Sequence, residues 1–227
     1  MATVQSLNIG ARRPVAAKSG WTGIDKRPTA GPVAVRAPGP KGTGTGGLIG
    51  DAICDTRNHG GDDQALYAYA REDLDWWQRE LGEPLRSGSF GENLTTLSLD
   101  ITGALIGEKW RIGESVLLQV TAPRIPCATF AAWMRHQGWL KTFTRRAVPG
   151  AYLRVLTPGD IQAGDPLSIE FRPDHCVTVG VTFRALTLEP DLLSTLLDAS
   201  DYLEAEIIRR ARRRQPFDVL PEVDQPV

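Results

Sequence analysis

Residues 115–127 read SVLLQVTAPRIPC. Large side chains alternate with small or polar ones as far as Thr121, which is typical of a half-buried strand. The residue before each of the two prolines is restricted to extended backbone, so the chain should stay stiff up to Cys127. After Cys127, large apolar side chains recur at helical spacing through residue 140, which predicts a helix. The stretch therefore places Cys127 between the end of a strand and the start of a helix.

This position of Cys127 favours ionisation of its thiol. A helix N-terminus carries partial positive charge, and Arg124 lies three residues away, so both features favour thiolate over thiol. A thiolate can bind a metal or attack a substrate. Free cysteines are also often simply buried, so the local sequence leaves a structural thiol open as an alternative.

Composition indicates an ordinary globular protein of 227 residues, either one large domain or one domain with a small appendage. The net charge of -1 offers no general attraction to nucleic acid or to an anionic membrane. Arginines crowd residues 209–214; we expect a solvated helix face there, with contact to a polyanion as the alternative. No apolar stretch has the length of a membrane span, and the first residues lack the order of a signal peptide. We expect a cytoplasmic protein with neither nucleic-acid nor membrane partners.

The cysteines and histidines exclude the usual protein-built metal sites. They are Cys54, Cys127 and Cys176, and His59, His136 and His175. The cysteines are odd in number and far apart, which argues against a disulfide framework or a zinc knuckle. The histidines form no pair on one helix face. A bound metal would therefore need a cofactor that brings most of its ligands.

Short strand-like segments with glycine between them predict a closed or nearly closed β-barrel. We place strands at residues 3–9, 33–37, 93–97, 104–106, 109–112, 115–121, 151–155 and 166–171, an extended segment at 48–51, and a turn at 157–165. A helix is predicted to begin at Asp62 and Asp63 and to end at Gly82, because apolar residues recur there at helical spacing. The glycines at 42–47 match a dinucleotide-binding spacing, but no strand precedes them and no helix follows, so we interpret them as a surface loop.

From residue 177 onward the pattern changes to helices. Pro190 opens one helix, and apolar residues between 202 and 208 predict a second. The predicted domains are a β-barrel at 1–172, a small helical domain at 173–215 and a disordered tail at 216–227.

Three separated segments have compositions that a barrel does not need. They are RNHGGDDQA at 57–65, FGENLTT at 90–96 and PRIPC at 123–127. In the first, glycines allow close backbone approach to a ligand, and Arg57 and His59 supply donors suited to a phosphate or a pterin. A tight turn that starts a helix explains the same residues equally well. In the second, Glu92 and Asn93 could hydrogen-bond the nitrogens of a heterocycle.

With these three segments in this order, the chain resembles the MOSC family, named for the C-terminus of molybdenum cofactor sulfurases. The spacing looks like that of its bacterial YiiM-like subgroup, and TGIDKRP at 22–28 resembles an early stretch of the same subgroup. The resemblance extends roughly from residue 22 to residue 212. It implies a mainly β fold with helices, in which a MOSC β-barrel is followed by a small three-helix domain.

The resemblance also implies a molybdenum cofactor, in which a pterin dithiolene holds the metal and one protein cysteine adds a ligand. That cysteine corresponds to Cys127, which is thus the expected catalytic and metal-binding residue. By position, the expected residues for the pterin and its phosphate are Lys26, Arg57, His59, Gly60, Asn93, Arg124 and Cys127. No pyridoxal phosphate site is expected.

The subgroup reduces N-hydroxylated bases such as 6-hydroxylaminopurine to amines, so the resemblance implies a detoxifying oxidoreductase. The chain carries no cluster-binding cysteine set and no supported nucleotide fingerprint, which predicts an external flavin or iron–sulfur protein as electron donor. Residues 40–47 depart from the short form of the family pattern, so the rim of the site and the choice of substrate stay open.

Two other functions are compatible with the sequence. Cys127 could carry sulfur or bind the cofactor without catalysing a reduction. It could also serve a cysteine hydrolase with His59 or His136, although spacing alone fixes no such pair.

Overall fold

The computed structural model describes residues 1–16 and 20–219. The strands are β1 (Ala2–Gly10), β2 (Arg13–Pro14), β3 (Trp21–Thr22), β4 (Lys26–Pro28), β5 (Val33–Val35), β6 (Leu66–Ala70), β7 (Leu94–Leu97), β8 (Lys109–Ile112), β9 (Val116–Pro123), β10 (Ala151–Thr157), β11 (Gly159–Ile161) and β12 (Pro166–Phe171). The helices are α1 (Arg71–Leu81), α2 (Ala128–Met134), α3 (Trp139–Arg146), α4 (Val179–Thr187) and α5 (Ala205–Arg213), with 3-10 helices at Asp62–Gln64 and Pro190–Ala199.

Seven strands close into a barrel, which confirms the predicted fold class. Their order is β12-β8-β9-β10-β6-β7-β1, and β1 pairs back to β12 through Ala2 and Leu167. Every pairing is antiparallel except β6 with β7. The interior is filled by alternate strand residues such as Trp110, Leu118 and Leu153, which are fully buried. Strand β4 pairs with the far end of β1 outside the closed ring.

The helix predicted from Asp62 was wrong in its first half. Residues 62–64 form only a 3-10 turn, and residues 66–70 are strand β6, with every residue buried. The α-helix begins at Arg71 and ends at Leu81, and the next residue, Gly82, takes the left-handed conformation expected of a terminator. Helical spacing is ambiguous in a segment buried on all sides, because both faces of such a strand are apolar. Helix α1 is thus the crossover that lets β6 and β7 run parallel.

The single helix predicted over residues 128–140 was also wrong in its extent. It is broken into α2 and α3 by Arg135 and Gly138, which both have positive φ. The break reverses the chain, so that Phe130 on α2 and Trp139 on α3 pack with ring centroids 5.3 Å apart. Aromatic packing between the two short helices replaces one continuous apolar face.

The remaining strand predictions were confirmed or corrected by pairing. Strands β8 and β12 have the predicted bounds, whereas residues 104–106 supply only one bridge, between Leu105 and Thr178. The predicted turn at 157–165 contains β11, which pairs with β5. Residues 48–51 turn at Gly50 rather than extend, after a bridge from Leu48 to Val35. Pairing between distant segments decides these cases, and local composition does not report it.

Helix α4, the second 3-10 helix and α5 pack together against the barrel. The 3-10 helix begins at Pro190 as predicted, and Leu186, Leu193 and Leu196 are fully buried. The amide of Phe217 donates to the carbonyl of Leu186 at 2.7 Å, which ties the chain beyond α5 to α4. Of the predicted tail, residues 220–227 lie outside the described residues. Among the helices of the described ranges, none is both long and apolar enough to cross a bilayer.

Candidate functional site

Cys127 lies at the strand-to-helix junction that the sequence predicts. Strand β9 ends at Pro123, and Cys127 has extended backbone, with φ -135° and ψ 169°, as the N-cap of α2. Cys127 is partly buried. The thiol therefore stands at the start of a helix with access to a cavity.

An aromatic cluster fixes the helix of Cys127 against the FGENLTT segment. Phe90 is at its centre, with ring centroids 5.2 Å from Phe130, 5.1 Å from Tyr69 and 5.6 Å from Trp139. Trp133 adds a hydrogen bond from its indole N–H to the carbonyl of Ser89, at 2.8 Å. Phe90 comes from one motif and Phe130 from the helix after the other, so their packing sets the separation of the two motifs.

Glu92 holds its own loop together and does not line the cavity. Its carboxylate accepts hydrogen bonds from the amide of Gly88 at 2.5 Å, the amide of Phe90 at 3.0 Å and the hydroxyl of Thr95 at 2.9 Å. The side chain is completely buried. A contact between Glu92 and a heterocycle would break these bonds, so the structure assigns Glu92 a structural role.

Asp51 is the centre of a buried network that includes two of the predicted site residues. It accepts from the ammonium of Lys26 at 2.5 Å, from Nδ2 of Asn93 at 3.0 Å and from the amide of Gly10 at 2.8 Å. The Oδ1 of Asn93 accepts a hydrogen bond from the amide of Tyr67 at 3.1 Å. Lys26 and Asn93 are therefore held rigidly in the cavity wall, and much of their hydrogen-bonding capacity is already used.

Arg124 is a buried cation. It is 5% exposed, and its guanidinium lies 3.8 Å from the ring centroid of Phe130 and 5.1 Å from that of Tyr67. One nitrogen donates to the carbonyl of Phe90, whereas Nε has no hydrogen-bond partner in the described structure. Within the described ranges no carboxylate forms a salt bridge with it. A buried charge of this kind calls for an anion nearby.

The thiol of Cys127 can meet part of that need. Burial raises the pKa of Cys127, but a hydrogen bond from His59, the charge of Arg124 and the amide of Phe130 outweigh burial and lower this pKa to about 6. The thiolate is therefore the main form at neutral pH. The predicted effect of Arg124 and the helix start is confirmed in direction, and His59 adds a contribution that spacing alone could not fix.

Two adjoining chambers open from Cys127. The first lies against the barrel wall and contains Lys26, His59, Gly60, Asn93, Arg124 and Cys127. The second lies toward the C-terminal helices and is wider, about 1110 Å³ against about 100 Å³. His59 and Cys127 line both chambers, whereas the exposed Arg57 lines only the second. The structure thus brings together all the predicted site residues except Arg57.

Several cavity residues were missed by the sequence analysis. They include Trp21, Cys54, Gln64 and Tyr152, which line the first chamber, and Asp51, which accepts hydrogen bonds from the lining residues Lys26 and Asn93. Burial raises the pKa of Tyr152 to about 12, so its hydroxyl stays protonated beside Cys127. None of these residues belongs to a recognisable local pattern, and Asp51 in particular follows a glycine-rich loop. Only the closure of the barrel brings them to the cavity.

No group of three or more potential metal ligands from His, Cys, Asp and Glu exists within the described part of the chain. A metal held by Cys127 would have to arrive with other ligands. Thiolate is a soft ligand, and Arg124 supplies positive charge for an anionic cofactor. The chemistry of the site therefore suits a soft metal that is carried by an anionic group.

The chain belongs to the MOSC domain family, whose model matches residues 55–168. The match includes all three motif segments described above. Within this family the chain is similar to protein YiiM of Escherichia coli, with 33% identity over 129 residues, which are 56% of this chain and 57% of that protein. It is also 33% identical over 138 residues to a protein of Gibberella moniliformis named "Reductase", covering 60% of this chain and 24% of that protein. The chain thus spans less than two thirds of either relative.

Solved structures agree with this placement. YiiM from Geobacillus stearothermophilus superposes with a TM-score of 0.75 at 27% identity, covering 94% of this chain and 99% of that one. YiiM from Escherichia coli gives a TM-score of 0.70 at 24% identity, covering 95% and 92%, which supports the fold. The likeness extends over the barrel and the C-terminal helices together.

Proposed function

We propose that the protein is a molybdenum-cofactor-dependent reductase of N-hydroxylated compounds, with bases such as 6-hydroxylaminopurine as the substrate class. The observation that carries the proposal is Cys127, a thiolate beside the buried cation Arg124 in a cavity shared by two chambers. The similarity to a protein named a reductase supports a redox role. Detoxification of such bases would be its purpose.

The donor chemistry of the residues around Cys127 suits a molybdenum–pterin group. Cys127 would add one thiolate to a metal whose other ligands come with the cofactor, since the described chain offers no further cluster. Arg124 has a guanidinium nitrogen without a partner among the described residues, and it would neutralise part of the cofactor's negative charge. When bound, the cofactor supplies two-electron chemistry at an oxygen-bearing substrate atom.

The protein's own residues would bind and orient the cofactor and the substrate and would supply a proton. His59 holds the thiolate of Cys127 through a hydrogen bond, and the Lys26–Asp51 pair keeps the chamber wall in one arrangement. Tyr152 carries a proton that stays in place at neutral pH and lines both chambers. Overall, the N-hydroxyl compound takes up two electrons and two protons and yields the amine and water. An external flavin or iron–sulfur protein would supply the electrons.

A second candidate function rests on the contact between His59 and Cys127. A histidine that lowers the pKa of a cysteine is also the arrangement of a cysteine hydrolase. Nε of Arg124, which has no partner within residues 1–16 and 20–219, is harder to explain in that case, because a hydrolase needs no permanently bound anion. Cofactor content separates the two functions.

The decisive experiment measures molybdenum and pterin in protein purified from a host that makes the cofactor. We expect about one metal per chain in the parent, a loss of most of it in Cys127→Ser, and parent-like content in Cys54→Ser. Cys54 lines both chambers as well, so it is a matched control. Reduction of 6-hydroxylaminopurine with dithionite-reduced methyl viologen should follow metal content.

Three results would contradict the proposal in different ways. A parent without metal and pterin leaves a hydrolase or a structural thiol. A loaded parent that does not reduce N-hydroxylated bases leaves a sulfur or cofactor carrier. Equal metal content in Cys127→Ser and Cys54→Ser removes Cys127 as the ligand.

A further inference from the structure

A basic surface lies beside the first chamber, whose lining includes the neighbouring residues Trp21, Thr22 and Lys26. Asp25, whose side chain is 1% exposed, contacts three arginines: Arg13 at 2.9 Å, Arg27 at 3.1 Å and Arg86 at 2.5 Å. The charge of Arg27 and its neighbours lowers the pKa of Asp25 despite burial, so one negative charge faces three positive ones. This surface therefore carries a net positive charge, because one buried carboxylate binds all three arginine side chains.

Trp21 adds an exposed aromatic to this surface. The side chain is 44% exposed, lines the first chamber and carries the guanidinium of Arg12 over its ring at 4.3 Å. Within the described ranges Arg12 forms no ion pair with a carboxylate. We call Arg12, Arg13, Trp21 and Arg27 the Trp21 patch. Tryptophan and arginine are enriched at protein interfaces, particularly at the residues that dominate binding energy.

The second chamber does not share this charge. Its charged lining residues are Lys41, Arg57, Arg209 and Arg210 against Asp55, Asp63, Glu204, Glu206 and Asp218. Positive and negative groups are nearly balanced there, and several pair with each other, as Lys41 does with Glu204 at 2.7 Å. A negatively charged protein would therefore be attracted to one mouth of the cavity and not to the other.

We propose that the Trp21 patch is the docking surface for an acidic electron-donor protein. The inference rests on the proposed function, because a reductase without its own cluster or flavin needs such a donor. Two one-electron donors in succession, or one two-electron donor, would deliver the electrons that convert the N-hydroxyl group and two protons to amine and water. Docking at the first mouth leaves the wider second mouth open to the small substrate. Donor and substrate would then reach Cys127 from different sides.

The test compares a protein donor with a small one on cofactor-loaded enzyme. The protein probe is a purified acidic flavodoxin kept reduced by its reductase, and the small probe is methyl viologen reduced with dithionite. The variants are Arg12→Glu and the milder Arg12→Gln, because Arg12 lies outside the cavity lining and has no carboxylate to lose. Arg213→Glu is the control, since it makes the same charge change at an exposed site on α5.

We expect kcat/KM for flavodoxin to fall roughly tenfold in Arg12→Glu and less in Arg12→Gln, with parent-like values in Arg213→Glu. Added salt should lower the flavodoxin rate of the parent, while methyl viologen turnover and molybdenum content stay unchanged in all variants. Equal flavodoxin rates in parent and Arg12→Glu, or no reduction of the parent by flavodoxin, would overturn the docking proposal alone. Loss of molybdenum in Arg12→Glu would instead make the patch part of the cofactor site. A loaded parent that fails with methyl viologen would overturn the reductase function itself.

Discussion

The two chambers that meet at Cys127 are built differently. Walls of the first come from barrel strands and from loops packed on them, and its polar side chains are held in the buried Lys26–Asp51–Asn93 network. The second is bounded by residues 54–59, by residues around Cys127 and by helix α5, and its ion pairs face solvent. Rigid walls suit a group that must be held in one geometry, whereas a wide and solvated chamber suits a ligand that enters and leaves.

The two chambers around this one thiol also differ in charge. The tightly packed side has an excess of positive charge at its mouth, organised around Asp25. The open side is nearly neutral. A single cysteine can thereby face a fixed anionic group on one side and an exchanging neutral compound on the other.

The largest expected difference between the chambers concerns Lys26 and Arg57. Lys26→Met would leave the carboxylate of Asp51 buried without its cation, and we expect unfolding free energy to fall by about 3 kcal/mol. Arg57→Met removes an exposed charge and should change that free energy by less than about 0.5 kcal/mol. Urea denaturation of the metal-free protein measures both. Similar losses in the two variants would contradict the distinction between a rigid and an open chamber.

A second prediction concerns the ionisation of the thiol that the chambers share. Because the pKa of Cys127 is lowered to about 6, its alkylation rate should rise with pH through that value and then level off. His59→Ala removes a stabilising hydrogen bond to the thiolate, so the inflection should move to higher pH. The measurement is the rate of iodoacetamide labelling of metal-free protein in a Cys54→Ser, Cys176→Ser background.

His136→Ala serves as the control for that experiment. His136 contacts Glu83 at 3.0 Å and is not among the residues that lower the pKa of Cys127. Its removal should leave the inflection where it is. An unchanged profile in His59→Ala would show that Arg124 and the helix start alone account for the thiolate.

An effect much smaller than that of Lys26→Met is expected at the C-terminal side of the second chamber. Glu204 accepts from Lys41 at 2.7 Å and from Nε2 of Gln64 at 3.0 Å, and so joins α5 to the barrel. Glu204→Gln keeps an acceptor but removes the charge, which should cost about 0.5–1 kcal/mol of unfolding free energy. The loss should shrink in about 1 M salt, because the pair is partly exposed. A loss as large as that of Lys26→Met would mean that the second chamber is as rigid as the first.

Much of the fold could be predicted from local sequence. Alternation and glycine punctuation gave the strands of the barrel, with β8 and β12 at their observed bounds. Prediction failed at β6, where a fully buried strand has no polar face to show its period. It failed again at α2 and α3, where the break depends on a non-glycine residue, Arg135, in the left-handed conformation. Tertiary packing selects such a conformation against local preference.

The sequence by itself determined the position of Cys127 between strand and helix, the fold class and the membership of the MOSC family, because these depend on local spacing and on the order of motifs. Only the tertiary structure decided that Glu92 supports its own loop, that Lys26 and Asn93 share Asp51, and that His59 lies near enough to Cys127 to lower its pKa. It also produced the difference between the chambers. Hydrogen bonds and charge interactions act over a few ångströms in space, and residues far apart in the chain come within that range only when the barrel closes.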